Sequence, residues 1–148
     1  MRENMGLYRG KRKHDGEWIY GSFFYDADVV TILPHPMNIG CGFGGLWWID
    51  DGFDPVDPET VGQFVGMTDK NGKNIFEGDI VHVLGNQQVE DWKNVNYIGS
   101  IAFLDAGFCV IDGTIEDHAF RRYQLPRRDF SLEVIGNIHD NPELMEVK

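Results

Sequence analysis

The stretch Val61–Val83, VGQFVGMTDKNGKNIFEGDIVHV, turns the chain back on itself twice, and that constraint governs what the rest can fold into. Phe64, Val65 and Met67 close an extended run, Asn71-Gly72 supplies a two-residue turn, and Ile75 and Phe76 begin the return. Asn and Gly tolerate positive φ at both central positions of a type I′ turn, so the spacing predicts a tight β-hairpin. Glu77-Gly78-Asp79 then breaks the pairing, and the β-branched run Ile80-Val81-His82-Val83 predicts a short buried strand.

Eighteen Gly in 148 residues extend the same logic to the whole chain, because they favour many tight turns between short strands over long helices. Hydrophobic content of 42% and aromatic content of 13% predict a folded core, built as one domain or two small β subdomains. Local signals divide the chain into an N-terminal β-rich region, 1–60, and a second region, 61–148. No run approaches the roughly 20 apolar residues of a membrane helix, and the N-terminus is too polar for a signal peptide, so a cytoplasmic location is expected. Cys41 and Cys109 lie far apart and outside any CxxC or Cys/His cluster, which predicts two reduced thiols with Cys109 in a buried strand.

Residues 7–25 read as a first hairpin turning at Asp15-Gly16, and Val29–Leu33 as a third strand ended by Pro34 and Pro36. The window 38–57 shifts to Gly, aromatic and acidic residues and predicts a long loop or irregular insertion pinned by Trp47 and Trp48. Residues 85–96 form a polar, turn-rich loop carrying Trp92. Gly99–Leu104 and Phe108–Ile111 follow as strands about a turn at Asp105-Ala106-Gly107. Acids early and arginines late in Thr114–Tyr123 predict a helical turn or two. Phe130–Ile135 is the last strand, and Asn141-Pro142-Glu143 predicts the start of a short C-terminal helix. The fold class expected is therefore mainly β, with a short-stranded SH3-like barrel in the C-terminal half, an N-terminal β subdomain and few short helices.

Charge is unevenly distributed. Residues 14–120 hold 18 acidic and 3 basic side chains, net −15, while the flanks carry net +4 of the overall −11. Such a field repels nucleic-acid backbones from the middle of the chain and leaves two basic patches, Arg9–Lys13 and Arg121, Arg122, Arg127 and Arg128. These four arginines, with Trp47 and Trp48, form the candidate interaction surface; the tryptophans read either as a ligand platform or as anchors for a long loop. Asp50, Asp51, Asp54 and Asp57 lack the DxDxDG ladder of a calcium loop, and Asp69-Lys70-Asn71-Gly72 lacks its third ligand and closing Glu. Glu77 and Asp79 flank a turn glycine and read as solvated acids; an enzyme would need them to work with His82, His118 or His139. No catalytic residue, metal ligand or cofactor is expected.

Two blocks are recognisable together. Thr68–Val81, TDKNGKNIFEGDIV, and Glu133–Leu144, EVIGNIHDNPEL, resemble signatures of the YopX family of phage and prophage proteins. Tyr8-Arg9-Gly10-Lys11, Glu17-Trp18 and Val56–Thr60 are similar to family members as well. The resemblance implies a small, mainly β protein from mobile genomes of Gram-positive bacteria, with an SH3-like barrel in its second half and no assigned catalytic residues. Asp69, Asn71, Gly72, Glu77, Gly78, Asp79, Gly136, Asn137, Asn141 and Pro142 carry the two blocks and read as structural, with Ile80, Val81, Ile135 and Ile138 facing the core.

The function expected is a non-enzymatic binding or assembly module, pairing with itself as a homo-oligomer or with a host or phage protein. The central acidic segment also suits a mimic of nucleic acid that occupies a host protein. Direct nucleic-acid binding through the arginine clusters is opposed by the net charge, and nothing points to a membrane.

Overall fold

The computed structural model describes residues 7–26, 29–34, 39–41, 47–49, 55–114, 119–125 and 130–146; of 26, 33–34, 39–41, 47–49, 113–114 and 119–121 it describes the backbone alone. The described residues are antiparallel strands joined by short turns, with no α-helix among them, so the chain is mainly β. It divides into two compact units, Met1–Phe64 and Val65–Lys148.

In the first unit, β1 (Tyr8–Lys11), β2 (Trp18–Asp26) and β3 (Val29–Pro34) form a meander, and the start of β6 (Gly62–Thr68) pairs with the free side of β1. The first hairpin turns where Gly16 adopts φ of +70°, a conformation that costs a Cβ-bearing residue free energy. Val56 is fully buried against Val30 and Ile32, its amide donating to the Val30 carbonyl at 2.9 Å. A Cβ at Gly10 would stand 3.1 Å from Val56, so that position must stay small for Val56 to seat. Thr60, in a 3₁₀ turn over Pro58–Thr60, accepts from the Lys11 amide and donates to the Asp57 carbonyl, while Asp57 caps that turn. The 38–57 window is more regular than an irregular insertion. β4 (Ile39–Cys41) and β5 (Trp47–Ile49) pair as a two-stranded ribbon, with Cys41 opposite Trp47.

In the second unit, the end of β6 runs beside β7 (Asn74–Phe76). β8 (Asp79–Leu84), β9 (Asn96–Leu104), β10 (Gly107–Thr114) and β11 (Ala119–Gln124) follow as a meander, and β12 (Ser131–Asn137) returns to pair with β8. The sheet order is β11-β10-β9-β8-β12. Alternation along the strands sends Val81, Val83, Ile101, Val110 and Leu132 to one face, where with Ile75 they make a core packed by Val65, Met67, Phe108 and Val134. Each such residue stabilises the fold by about 1.5–3 kcal/mol through apolar burial. Ile80, Cys109 and Ile111 are buried as well, with Cys109 a free thiol.

Four expectations change. First, the Asn71-Gly72 turn is not type I′. Gly72 has φ of +79°, Asn71 has no positive φ, and the Gly72 amide donates to the Asp69 carbonyl. This is a turn over Asp69–Gly72 with glycine in the left-handed position that follows it. Both central residues have positive φ instead at Asp105 (+50°) and Ala106 (+65°), between β9 and β10. Second, Thr114 and Ala119–Tyr123 are strand, because cross-strand pairing of β10 with β11 outweighs the weak preference conferred by end charges. Third, the C-terminal helix is a four-residue 3₁₀ turn, Pro142–Met145, whose Asn141 makes no side-chain cap. Fourth, Ile135 and Ile138 face outward, 36% and 40% exposed. The β12–β8 register jumps from Val134↔Val81 to Gly136↔Ile80, leaving Ile135 as the extra residue of a bulge. The second unit's sheet also stays open among the described residues. Its outer strands β11 and β12 do not pair with each other, so these strands form no closed barrel.

Candidate binding groove

The two signature blocks meet in space, at the Asp79 end of β8. Asp69 is buried and accepts three backbone amides: Asn71 and Lys73 on Oδ1, both at 2.9 Å, and Val134 on Oδ2 at 3.0 Å. Burial pulls its pKa upward, but the hydrogen bonds from Val134, Lys73 and Asn71 outweigh that and hold the carboxyl below its ordinary range. The Lys70 amide donates to the Leu132 carbonyl, and the Lys70 ammonium lies 3.1 Å from Glu133, so the hairpin tip is clamped onto β12. Gly78, at φ +92°, donates to the Ile101 carbonyl and accepts from the Ile138 amide. Asp79, opposite Asn137 in the β8–β12 register, accepts the Phe76 amide at 2.8 Å. Asn137 Oδ1 accepts the His139 and Asp140 amides, and Asn141 Oδ1 accepts the Asn137 amide. A Cβ at Gly136 would stand 2.6 Å from that same Asn141 oxygen. Pro142 opens the terminal turn. These residues are therefore joints between strands.

The acid–base constellation does not assemble. Asp79 and His82 are three residues apart on one strand and so point to opposite faces; His82 Nε2 lies 2.7 Å from Asn96 Oδ1. Glu77 is half-buried, and that burial raises its pKa. His118 lies outside the described residues. Among the described residues no group of three His, Cys, Asp or Glu could hold a metal ion.

The basic patches are partly engaged within the protein. Arg9 is buried with its guanidinium 4.6 Å from the Trp18 ring centre, Lys11 sits 5.6 Å over the same ring, and Arg12 forks onto Asp15. Arg122 pairs with Asp105 at 2.6 Å and donates to the Leu104 carbonyl, bracing the β9–β10 turn. Arg121 is placed on β11 opposite Asp112, and Trp47 and Trp48 on β5. Arg127 and Arg128 lie outside the described residues.

A groove of about 780 Å³ opens at the other end of β8, lined by residues from separate parts of the second unit. Trp92 and Phe130 contribute one tilted ring pair, centres 5.2 Å apart; Tyr97 and Tyr123 contribute a stacked pair at 4.2 Å. Asn94, Asn96, Asp112 and Gln124 supply its polar lining. Burial, with Tyr123 alongside, pushes the Tyr97 phenol up to about 12. The Gly85–Trp92 approach fixes one wall: a Cβ on Gly85 would stand 1.9 Å from the Trp92 carbonyl oxygen. The volume falls in the range of small-ligand sites, about 300–1,000 Å³. The sequence flagged Trp92 inside a polar loop and Tyr123 beside two arginines, but nothing in either segment tells that the rings converge.

Residues 7–146, nearly the whole chain, match the family described as YopX protein. The chain belongs to the YopX family. Among solved structures, this YopX-family chain is similar to protein EF1440 from Enterococcus faecalis, with 26% identity, a TM-score of 0.52, and 93% of this chain and 96% of that one covered. Protein yopX from Bacillus subtilis is 20% identical over the same shares, with a TM-score of 0.48. No curated protein matches.

Proposed function

We propose that this YopX-family chain is a non-enzymatic binding module whose second unit holds a ligand in the aromatic groove. The observation that carries this reading is the convergence of Trp92, Phe130, Tyr97 and Tyr123 on one open groove with amide side chains between them. Aromatic faces gain from stacking against flat or apolar ligand groups, and a few polar side chains then set orientation. The groove-lining residues include no histidine, lysine, serine or cysteine, so a nucleophile with its base is missing from the described lining. Both signature blocks support the sheet from its opposite end, which accounts for them without chemistry.

The test is a chemical-shift screen of the full-length, ¹⁵N-labelled protein against a fragment set of planar, sugar and cyclic-amide compounds. Shifts concentrated on the amides of 92–97 and 123–125 are expected, and Trp92→Ala should remove them. Binding that maps elsewhere, or a screen with no hits on these amides, overturns the reading.

A further inference from the structure

Resting on that reading of the groove, we propose that its ligand is a proline-rich segment of another protein, held as a polyproline II helix and flanked by a lysine or arginine. Three observations select this class. The first is the ring pairs, Trp92 with Phe130 and Tyr97 with Tyr123, which present apolar faces to a ligand whose own side chains are compact rings. A polyproline II segment is already ordered before it binds, so little conformational entropy remains to be lost.

The second is donor balance. A proline-rich segment carries backbone carbonyls with no partners of their own and few N–H groups, so its site must donate. The groove offers the Trp92 indole N–H, the Tyr97 and Tyr123 hydroxyls, and the Asn94 and Gln124 amides. Among the described residues no hydrogen bond ties up these side-chain groups.

The third is charge. Asp112 is the ionisable carboxylate of the lining, in a chain of net charge −11. This field draws a cationic flank and repels phosphate-bearing ligands, which sets an oligonucleotide behind a peptide even though bases also stack on aromatic rings. Arg121 stands opposite Asp112 in the β10–β11 register. A ligand cation therefore meets a position already faced by one positive residue, and removing that charge should favour the ligand.

The experiment selects a phage-displayed library of random 12-residue peptides on the full-length protein, then titrates the enriched peptides against ¹⁵N-labelled protein. Enrichment of two prolines spaced by three residues with an adjacent Lys or Arg is expected, shifting the amides of 92–97 and 123–125. Replacing both prolines by alanine should weaken binding about tenfold or more, as should Trp92→Ala. Asp112→Asn should weaken it and reduce its salt dependence, and Arg121→Gln should tighten it. If Trp92→Ala fails to fold, the exposed Gln124→Ala supplies the groove variant. Enriched peptides without proline, or no enrichment, overturn the proposal. A cellohexaose or dT10 titration run alongside separates the two levels: groove shifts with either of these, and none with peptide, retain the binding site and discard the peptide. Silence from all three discards both.

Discussion

Replacing Asp69 by Asn should unfold the second unit far more readily than the loss of one surface charge would. Asp69 Oδ1 accepts the Asn71 and Lys73 amides and Oδ2 accepts the Val134 amide. Asn keeps one oxygen, which still serves the turn, but as a neutral acceptor it is worth roughly half a charged one, a loss of about 0.5–1 kcal/mol per bond where water is near. Its Nδ2 group then faces the Val134 N–H, donor against donor, leaving that amide without an acceptor at a cost of about 1–3 kcal/mol. The total is about 2–4 kcal/mol. Urea unfolding at pH 7 should show the midpoint fall with little change in slope. The sign of the pH dependence follows from the lowered pKa of Asp69. The native carboxyl titrates below the unfolded one, so its stabilisation is complete above the unfolded value, about 3.9, and is lost as pH falls through the folded value. The gap between wild type and Asp69→Asn should therefore narrow below about pH 4. A difference under about 0.5 kcal/mol at pH 7, or a gap that stays constant down to pH 2.5, would refute the clamp.

Three further outcomes are expected. Gly85→Ala places a methyl group against the Trp92 carbonyl oxygen and should cost about 1–3 kcal/mol by thermal or urea melts, with altered Trp92 shifts in the NMR spectrum. Ala106→Gly relieves a left-handed alanine at φ +65° and should stabilise by about 0.5–1 kcal/mol, raising the melting temperature by a few degrees; an unchanged or lower value contradicts the turn assignment. Because burial raises the Glu77 pKa, the native state binds that proton more tightly than the unfolded chain, so Glu77 should contribute stability gained as pH falls from neutral towards the unfolded carboxylate value. Glu77→Gln should flatten that part of the stability–pH curve, read by urea midpoints at half-unit intervals.

Strand positions were legible wherever β-branched runs sat between turn residues, as at Val29–Pro34 and Asp79–Leu84. Turn chemistry was legible in place but not in type. Asn-Gly marks the tip of the β6–β7 hairpin, yet Asp69 decides its geometry by accepting two amides of the turn, and that choice depends on a third amide in β12. The type I′ pattern at Asp105-Ala106 carries no glycine or asparagine, so only the Leu104↔Gly107 register reveals it. Ile135 read as core because its neighbours alternate correctly; a bulge is a property of two strands and leaves no mark on one. The groove was hidden for a similar reason. Trp92, Tyr97, Tyr123 and Phe130 come from loop, β9, β11 and the approach to β12, and only the β11-β10-β9-β8-β12 order brings those segments round one opening.

The clamp at Asp69 also sets a schedule for synthesis. Its carboxylate binds the amide of a residue 65 positions later. At about 5–20 residues per second, the ribosome takes about 3–13 s to deliver that partner after Asp69 itself is made. Over that interval the hairpin tip is a solvated acid on an unfinished sheet, β8 waits with one side unpaired, and its Val81 and Val83 lack the cover of β12. The nascent second unit is most open to chaperones and to mispairing with neighbouring chains while that strand is still missing, and pairing of the last strand ends the exposure.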